Sequence, residues 1–155
     1  MQRISISSIS RIVLPIMLVC CLLFAASSAR ANDDGACSNT TLRGDYGFAA
    51  EGVLIGTPGL PPLAPFRSVG LAHFDGKGNL TWLEHTIING VPLEADWTAA
   101  SGSYTVNSNC TGTAVVTTPN SPVPLKLALV VVRDGKEVRT VLDANAIVSV
   151  FIKVE

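Results

Sequence analysis

Apolar and polar side chains alternate along most of the chain after residue 42. Between Gly44 and Ile55, for example, the bulky residues Tyr46 and Phe48 are separated by small or polar ones. A repeat of two residues places alternate side chains on opposite faces of a β-strand. The pattern therefore predicts a strand with one bulky face.

The same alternation recurs in short segments separated by turn residues. The clearest hairpin joins Phe66–Phe74 to Leu80–Ile88 through Asp75-Gly76-Lys77-Gly78-Asn79, where the glycines can adopt the positive φ of a tight turn. One further segment, Leu125–Val132, is apolar at nearly every position, which is typical of a strand covered on both faces or lying at an oligomer contact. The remaining predicted strands are Val91–Thr98, Gly102–Val106, Cys110–Thr118, Glu137–Leu142 and Ile147–Val154.

No segment has apolar residues at helical spacing with caps at both ends, so almost no helix is expected. We predict an all-β fold, an antiparallel up-and-down β-barrel of about eight strands, because closure removes exposed strand edges. A β-sandwich is the alternative. Two proline-rich segments interrupt the strands, Gly56–Pro65 and Pro119–Pro124, and are interpreted as loops or lids that frame an opening.

The first 31 residues differ in kind from the rest. Met1–Arg11 is polar with two arginines, Ile12–Phe24 is an apolar run of thirteen residues, and Ala29-Arg30-Ala31 offers small residues before a cleavage site. A membrane-spanning helix needs about 20 apolar residues, more than this run contains. We therefore predict a cleaved signal peptide at residues 1–31 and one domain at residues 32–155, secreted or periplasmic and not membrane-bound.

Export changes the interpretation of the cysteines. Cys20 and Cys21 belong to the predicted leader, so the exported domain keeps Cys37 and Cys110. Two cysteines in an oxidising compartment are expected to pair, and neither has a second Cys or His at the spacing of a metal site. The sequence thus predicts one structural disulfide.

Composition excludes several classes of function. Only 15% of the residues are charged, 48% are apolar, and the formal net charge is −1. Neither a disordered polyelectrolyte nor a nucleic-acid-binding surface fits these values. His73 and His85 would face the same side of the hairpin, too far apart along the strands to share a metal. No metal, cofactor or nucleic-acid partner is expected.

One face of the predicted hairpin combines aromatic side chains with a carboxylate. If Phe74 lies opposite Leu80, then Trp82 and Glu84 share the face of Phe74. An apolar wall with one polar group suits a small-molecule pocket, where burial would raise the pKa of the carboxyl group. Alternatively this face points to solvent, because a shift of one residue reverses the assignment. The candidate pocket residues are Phe74, Trp82, Glu84, His85 and Tyr104.

Four segments carry a combination of strand and turn residues that points to a family. They are Leu42–Phe48, Val69-Gly70 leading to Phe74–Leu80, Gly102–Asn107 and Cys110–Thr113. Together they resemble small secreted bacterial and fungal proteins of unknown role whose fold is similar to the calycin-type barrel of allene oxide cyclases and lipocalins. The resemblance covers about Cys37 to Thr118 and implies a barrel. No segment matches the catalytic residues of allene oxide cyclases.

Three functions fit these observations. The leading one is a secreted barrel that binds a small, largely apolar molecule and carries out no chemistry. The second is a cyclase or isomerase of the allene-oxide-cyclase-like type, in which Glu84, His85 or Tyr104 assists proton movement. The third is a cell-surface or matrix protein that self-associates through its apolar C-terminal strands. Whether the protein is an enzyme stays open at this point.

Overall fold

A computed structural model describes residues 36–55, 63–94 and 96–155. The predicted signal peptide, and residues 56–62 of the first proline-rich segment, lie outside these ranges. Short 3-10 helices occur at Asn39–Thr41 and Arg133–Gly135, and no helix in the described ranges is long and apolar enough to cross a membrane. The strands are β1 (Arg43–Leu54), β2 (Ala64–Asp75), β3 (Asn79–Ile88), β4 (Val91–Pro92), β5 (Thr98–Val106), β6 (Thr111–Thr117), β7 (Leu125–Val132), β8 (Glu137–Leu142) and β9 (Ala146–Lys153).

Eight of these strands form a closed antiparallel barrel. Strands pair with their neighbours in sequence, β3 pairs with β5, and β9 pairs with β1 to close the sheet. The two-residue strand β4 is an addition that pairs with the last residues of β3. The predicted all-β up-and-down barrel is confirmed, and the alternative of a β-sandwich is not what the chain forms.

One predicted strand is wrong. The sequence suggested a continuous strand over Val91–Thr98, but β4 ends at Pro92 and β5 begins at Thr98. The backbone N–H of Leu93 still donates to the carbonyl oxygen of Thr86 at 2.9 Å, and the described residues 93, 94, 96 and 97 lie outside any strand. Trp97, which follows this break, lies outside the barrel and is 54% exposed.

The apolar strand β7 is covered on one face only. Leu127, Leu129 and Val131 point into the barrel and are buried, whereas Lys126 and Val130 point outward and are exposed. Burial of both faces within this chain, one of the two explanations for its composition, is therefore wrong. The other explanation, an oligomer contact on the outer face, stays a prediction.

One end of the barrel is filled by aromatic side chains. Their ring centroids lie 4.9–6.1 Å apart in tilted and edge-to-face pairs, the arrangements that aromatic rings prefer. These side chains fill the end of the barrel at which the turn of residues 75–79 lies, and we call this end of the barrel the closed end. Its aromatic residues are Tyr46, Phe48, Phe74, Trp82, Tyr104 and Phe151.

The segment before β1 seals the closed end. Leu42 is fully buried, and its carbonyl oxygen accepts a hydrogen bond of 2.8 Å from the Tyr104 hydroxyl. Tyr46 donates to the backbone carbonyl of Gly135 in the turn between β7 and β8. The predicted disulfide between Cys37 and Cys110 is present and ties this segment to the turn between β5 and β6. The closed end is therefore held by covalent, hydrogen-bonded and aromatic contacts together.

Smaller side chains replace the aromatic ones toward the other end. A continuous row of paired, inward-facing residues crosses five neighbouring strands, and every member is small or carries a hydroxyl. Because these side chains are short, they leave space in the middle of the barrel. The row consists of Thr140, Ser149, Ala50, Ser68 and Thr86.

Candidate functional site

A cavity of about 290 Å³ occupies the open end of the barrel, above the row of small side chains. The second proline-rich loop contributes Asn120, Ser121, Val123 and Pro124 to its wall. A concave, mainly apolar site in the mouth of a barrel is a typical place for a small molecule, and its volume is near the lower end of the ~300–1,000 Å³ of ligand pockets. Its apolar strand residues are Leu54, Phe66, Ile88, Leu125, Leu142 and Ile147.

Glu84 places a carboxyl group in the wall of this cavity. It lies on the inward-facing side of β3, opposite Gly70 of β2, and is only 6% exposed. Burial raises the pKa of Glu84, because the charged form loses contact with water. Interactions with Thr118 and, to a smaller extent, Trp82 and Ser68 oppose this rise.

Hydroxyl groups are the hydrogen-bond partners of this carboxyl group. Thr118 donates to Oε1 of Glu84 at 3.1 Å, and Ser68 approaches Oε2 at 3.5 Å, which is long for a hydrogen bond. Thr86 in turn donates to the Ser68 hydroxyl at 3.0 Å. Thr118 and Ser68 therefore direct their hydroxyl hydrogens toward Glu84, whereas Thr86 directs its hydrogen toward Ser68. Within residues 36–55, 63–94 and 96–155, no Lys, Arg or His forms an ion pair with it.

Two buried polar atoms beside Glu84 have no hydrogen bond within the described part of the chain. They are the indole Nε1 of Trp82 and the amide Oδ1 of Asn120. Both side chains nevertheless lower the pKa of Glu84, so each presents positive polarity toward the carboxyl group. The Asn120 oxygen, by contrast, is a hydrogen-bond acceptor in the cavity wall that has no described donor.

The structure distributes the five predicted pocket residues over three places. Glu84 lines the cavity, and Trp82 lies one inward-facing position below it in the aromatic group. Phe74 and Tyr104 are deeper, at the closed end, with ring centroids 5.1 Å apart. His85 is on the outer side of β3, with its ring centroid 6.0 Å from that of Trp97.

The predicted hairpin register is present, with Phe74 opposite Leu80. Consequently Glu84 and Trp82 face the interior and both histidines face outward. His73 is exposed, with Nδ1 at 2.6 Å from Oδ1 of Asp45. No group of three His, Cys, Asp or Glu residues that could hold a metal ion occurs among the residues with described positions.

Sequence reasoning missed most of the residues around Glu84. Ser68 and Thr86 face each other across the hairpin, so the same register that placed Glu84 inside could have found them. Thr118 and Asn120 follow β6, however, and β5 lies between β6 and β3 in the sheet. No local pattern brings those two residues to Glu84, because their approach depends on how the barrel curves.

Comparison with known proteins assigns no family. No protein-family model matches the chain, and no curated protein matches it. What the cavity can do therefore follows from its own residues.

Proposed function

We propose that this protein binds a small, largely apolar molecule in the open end of its barrel and performs no chemistry on it. The observation that carries this proposal is the cavity of about 290 Å³, whose wall is mainly apolar and contains one buried carboxyl group. Apolar walls supply affinity through burial, and a few fixed polar groups orient the ligand. The aromatic group lies below the cavity, at the closed end of the barrel.

We also propose that the protein acts outside the cytoplasm, as a secreted or periplasmic barrel related to the allene-oxide-cyclase-like proteins. The disulfide between Cys37 and Cys110 supports an oxidising compartment, since cytosolic thiols are kept reduced. The closed eight-stranded barrel is compatible with that relationship. Detection of a mature N-terminus near residue 32 in the culture medium or periplasm would test the compartment.

Binding is tested by filling the cavity from within. Ile147 points into the cavity, and its neighbour Val148 points outward from the same strand. We expect Ile147→Trp to weaken binding of the fluorescent apolar probe N-phenyl-1-naphthylamine by about ten-fold or more, because the indole occupies the ligand's space. Val148→Trp, the matched control, should bind as the unchanged protein does.

Equal probe affinity in both variants would contradict a ligand site in the barrel. Native mass spectrometry of the protein purified from its own host is a second test, because it detects a co-purified molecule.

A buried carboxyl group with a raised pKa also suits an acid or base, and this observation favours a cyclase or isomerase as the second candidate. Conversion of a bound polyene, rather than its unchanged recovery, would establish that activity.

A further candidate function is self-association through the outer face of the barrel. Exposed apolar side chains form rows of paired residues across β9, β1, β2 and β3. In one row, Ala49 of β1 pairs with Val150 of β9 on one side and with Val69 of β2 on the other. Such contiguous patches are typical of protein contacts. We expect sedimentation equilibrium to give a mass above that of the monomer, and Val69→Lys to return it to the monomer. A monomer at high concentration would exclude this candidate.

A further inference from the structure

We infer that the molecule bound in this cavity is an amphipathic amine, with its protonated nitrogen against Glu84 and its apolar part toward the open end. The inference rests on the proposed function and names the chemical class of the ligand. Its basis is the charge, the hydrogen-bond capacity and the polarity of the cavity wall.

The charge of Glu84 has no counterpart in the described part of the barrel. The groups that face its carboxyl oxygens are all neutral: the hydroxyls of Thr118 and Ser68, the indole of Trp82 and the amide of Asn120. A buried carboxylate is costly unless a cation pairs with it. The ionised residues nearest the rim, Lys126 and Asp143, are exposed and of opposite sign, so together they give the mouth no net preference for an anion. A cationic ligand group would supply the missing charge.

The unused hydrogen-bond capacity around Glu84 is mainly acceptor capacity, although the indole N–H of Trp82, which faces the carboxyl group, is a donor without a described hydrogen bond. A carboxylate offers about four lone-pair sites. The hydroxyls of Thr118 and Ser68 occupy two, one of them at long range, and the side chains of Trp82 and Asn120 also present positive polarity toward the carboxyl group. The buried Oδ1 of Asn120 is a further acceptor without a described partner. An ammonium group carries three donors and no acceptor, so it matches this surplus. An alcohol supplies one donor, and a ligand carboxylate supplies none.

Polarity changes along the depth of the cavity, which fixes the orientation of the ligand. Thr86 and Thr118 line the cavity together with Glu84, and all three side chains are buried. Around them and toward the rim the wall is formed by Leu54, Phe66, Ile88, Leu142 and Ile147. A molecule that enters with its charged end first therefore places its apolar part against apolar side chains.

A matched series of ligands tests the inference on the full purified protein. Octylamine, octanol and octanoate share one apolar chain and differ in the end group. In displacement of N-phenyl-1-naphthylamine at pH 7, we expect octylamine to bind about ten-fold tighter than octanol, because a charge-assisted hydrogen bond is stronger than a neutral one. Octanoate should bind most weakly, since it places a second negative charge beside Glu84.

Substitution of Glu84 separates the end group from the chain. Glu84→Gln should reduce octylamine affinity to that of octanol while octanol affinity changes less than about two-fold. Glu51→Gln, which removes an exposed carboxylate of β1, is the control and should leave the preference intact. Glu84→Asp should retain a preference for the amine, which shows that the charge and not the fold is responsible.

The outcomes distinguish this inference from the proposed function. Equal affinities for octylamine and octanol, or an amine preference that survives Glu84→Gln, would overturn the inference and leave a general apolar pocket. If no member of the series displaces the probe, and Ile147→Trp leaves the affinity for the probe unchanged, both the inference and the proposed function are wrong.

Discussion

Asp75 and Glu84 lie on the same hairpin, yet their surroundings move their pKa values in opposite directions. Hydrogen bonds from the side chain and backbone of Asn79 and from the backbone N–H of Lys77 stabilise the carboxylate of Asp75. They lower its pKa to about 2 from an ordinary value of 3.8. At Glu84, burial dominates and raises the pKa. The two residues therefore affect folding stability at different pH.

Asp75 stabilises the folded protein above its ordinary pKa of 3.8, and this contribution is lost as pH falls toward about 2. The unfolded chain takes up the proton first, which draws the equilibrium toward unfolding. We expect Asp75→Asn to reduce the free energy of unfolding at pH 5 and to have a smaller effect at pH 2. Urea unfolding at pH 5, 4, 3 and 2 measures this convergence.

Glu84 provides the matched comparison, with the opposite sign. Its raised pKa favours the folded state at low pH, and this contribution is lost as pH rises from the ordinary value of 4.5 through the higher folded value. Glu84→Gln should therefore gain stability relative to the unchanged protein as pH rises across that interval. If both variants changed with pH in the same direction, the assigned surroundings of at least one residue would be wrong.

At this scale the sequence predicted which way a side chain points but not what it contacts. Alternation placed Glu84 on the same face as Trp82, and the pairing of β2 with β3 agrees. Its contact with Thr118 joins residues 34 positions apart through barrel curvature. Local periodicity contains no information about that curvature.

At the scale of strands, Gly70 of β2 allows the Phe48 ring of β1 and the Leu83 carbonyl of β3 to lie close against its backbone. A Cβ atom at this position would lie 2.3 Å from the Leu83 carbonyl oxygen and 2.5 Å from Cε1 of Phe48. Both distances are far below van der Waals contact, and the carbonyl belongs to the backbone, which cannot easily move. The aromatic group below the cavity therefore depends on the absence of a side chain here.

We predict that Gly70→Ala destabilises the fold by about 1–3 kcal/mol, the usual cost of overpacking. Gly47→Ala is the control, because a Cβ at Gly47 meets nothing within 4 Å. That substitution should be neutral or stabilise by up to about 1 kcal/mol, since alanine restricts the unfolded chain. Chemical unfolding of both variants gives the comparison, and a similar loss in both would contradict the packing argument.

Strand boundaries followed from sequence where turns carry strong local preferences. β7 and β8 begin and end at the predicted residues, and β3 differs by one residue at its start. The prediction was wrong between Val91 and Thr98, where alternation continued across a proline. The chain leaves β3 just after a backbone hydrogen bond from Leu93 to Thr86, a departure that the pattern of side chains did not indicate.

At the scale of the whole molecule, the disulfide joins two places that are 73 residues apart in sequence. Its closed loop contains β1, β2, β3 and β5, half of the barrel strands. Cross-linking such a long loop restricts the unfolded chain strongly. The bond therefore stabilises the barrel as a unit and not only the segment at the closed end.

We predict that Cys37→Ala with Cys110→Ala lowers the free energy of unfolding by about 2–5 kcal/mol. Reduction of the unchanged protein with dithiothreitol should produce a similar loss, and the double variant should be insensitive to the reductant. Thermal unfolding monitored by circular dichroism measures all three states. A double variant as stable as the oxidised protein would show that hydrogen bonds and packing alone hold the closed end.

Barrel closure was predictable because many short alternating strands leave few other ways to cover their edges. The cavity was harder to predict from the sequence. The decrease in side-chain size from Phe48 to Ala50, or from Phe151 to Ser149, is present in the sequence. This decrease indicates a cavity only when the strand register is known, because the register places the large residues beside each other and the small residues beside each other.

The barrel, in the part of the chain that the structure describes, is sealed at one end. Under the proposed binding function, a guest molecule would arrive and depart by the same aperture. Narrowing that aperture without touching the guest slows both passages by one factor, so the dissociation constant does not change while the residence time lengthens. Changes at Glu84 act differently, since they alter how strongly the guest is retained once inside. Loops around the mouth can therefore set how long a guest stays independently of how tightly the interior holds it.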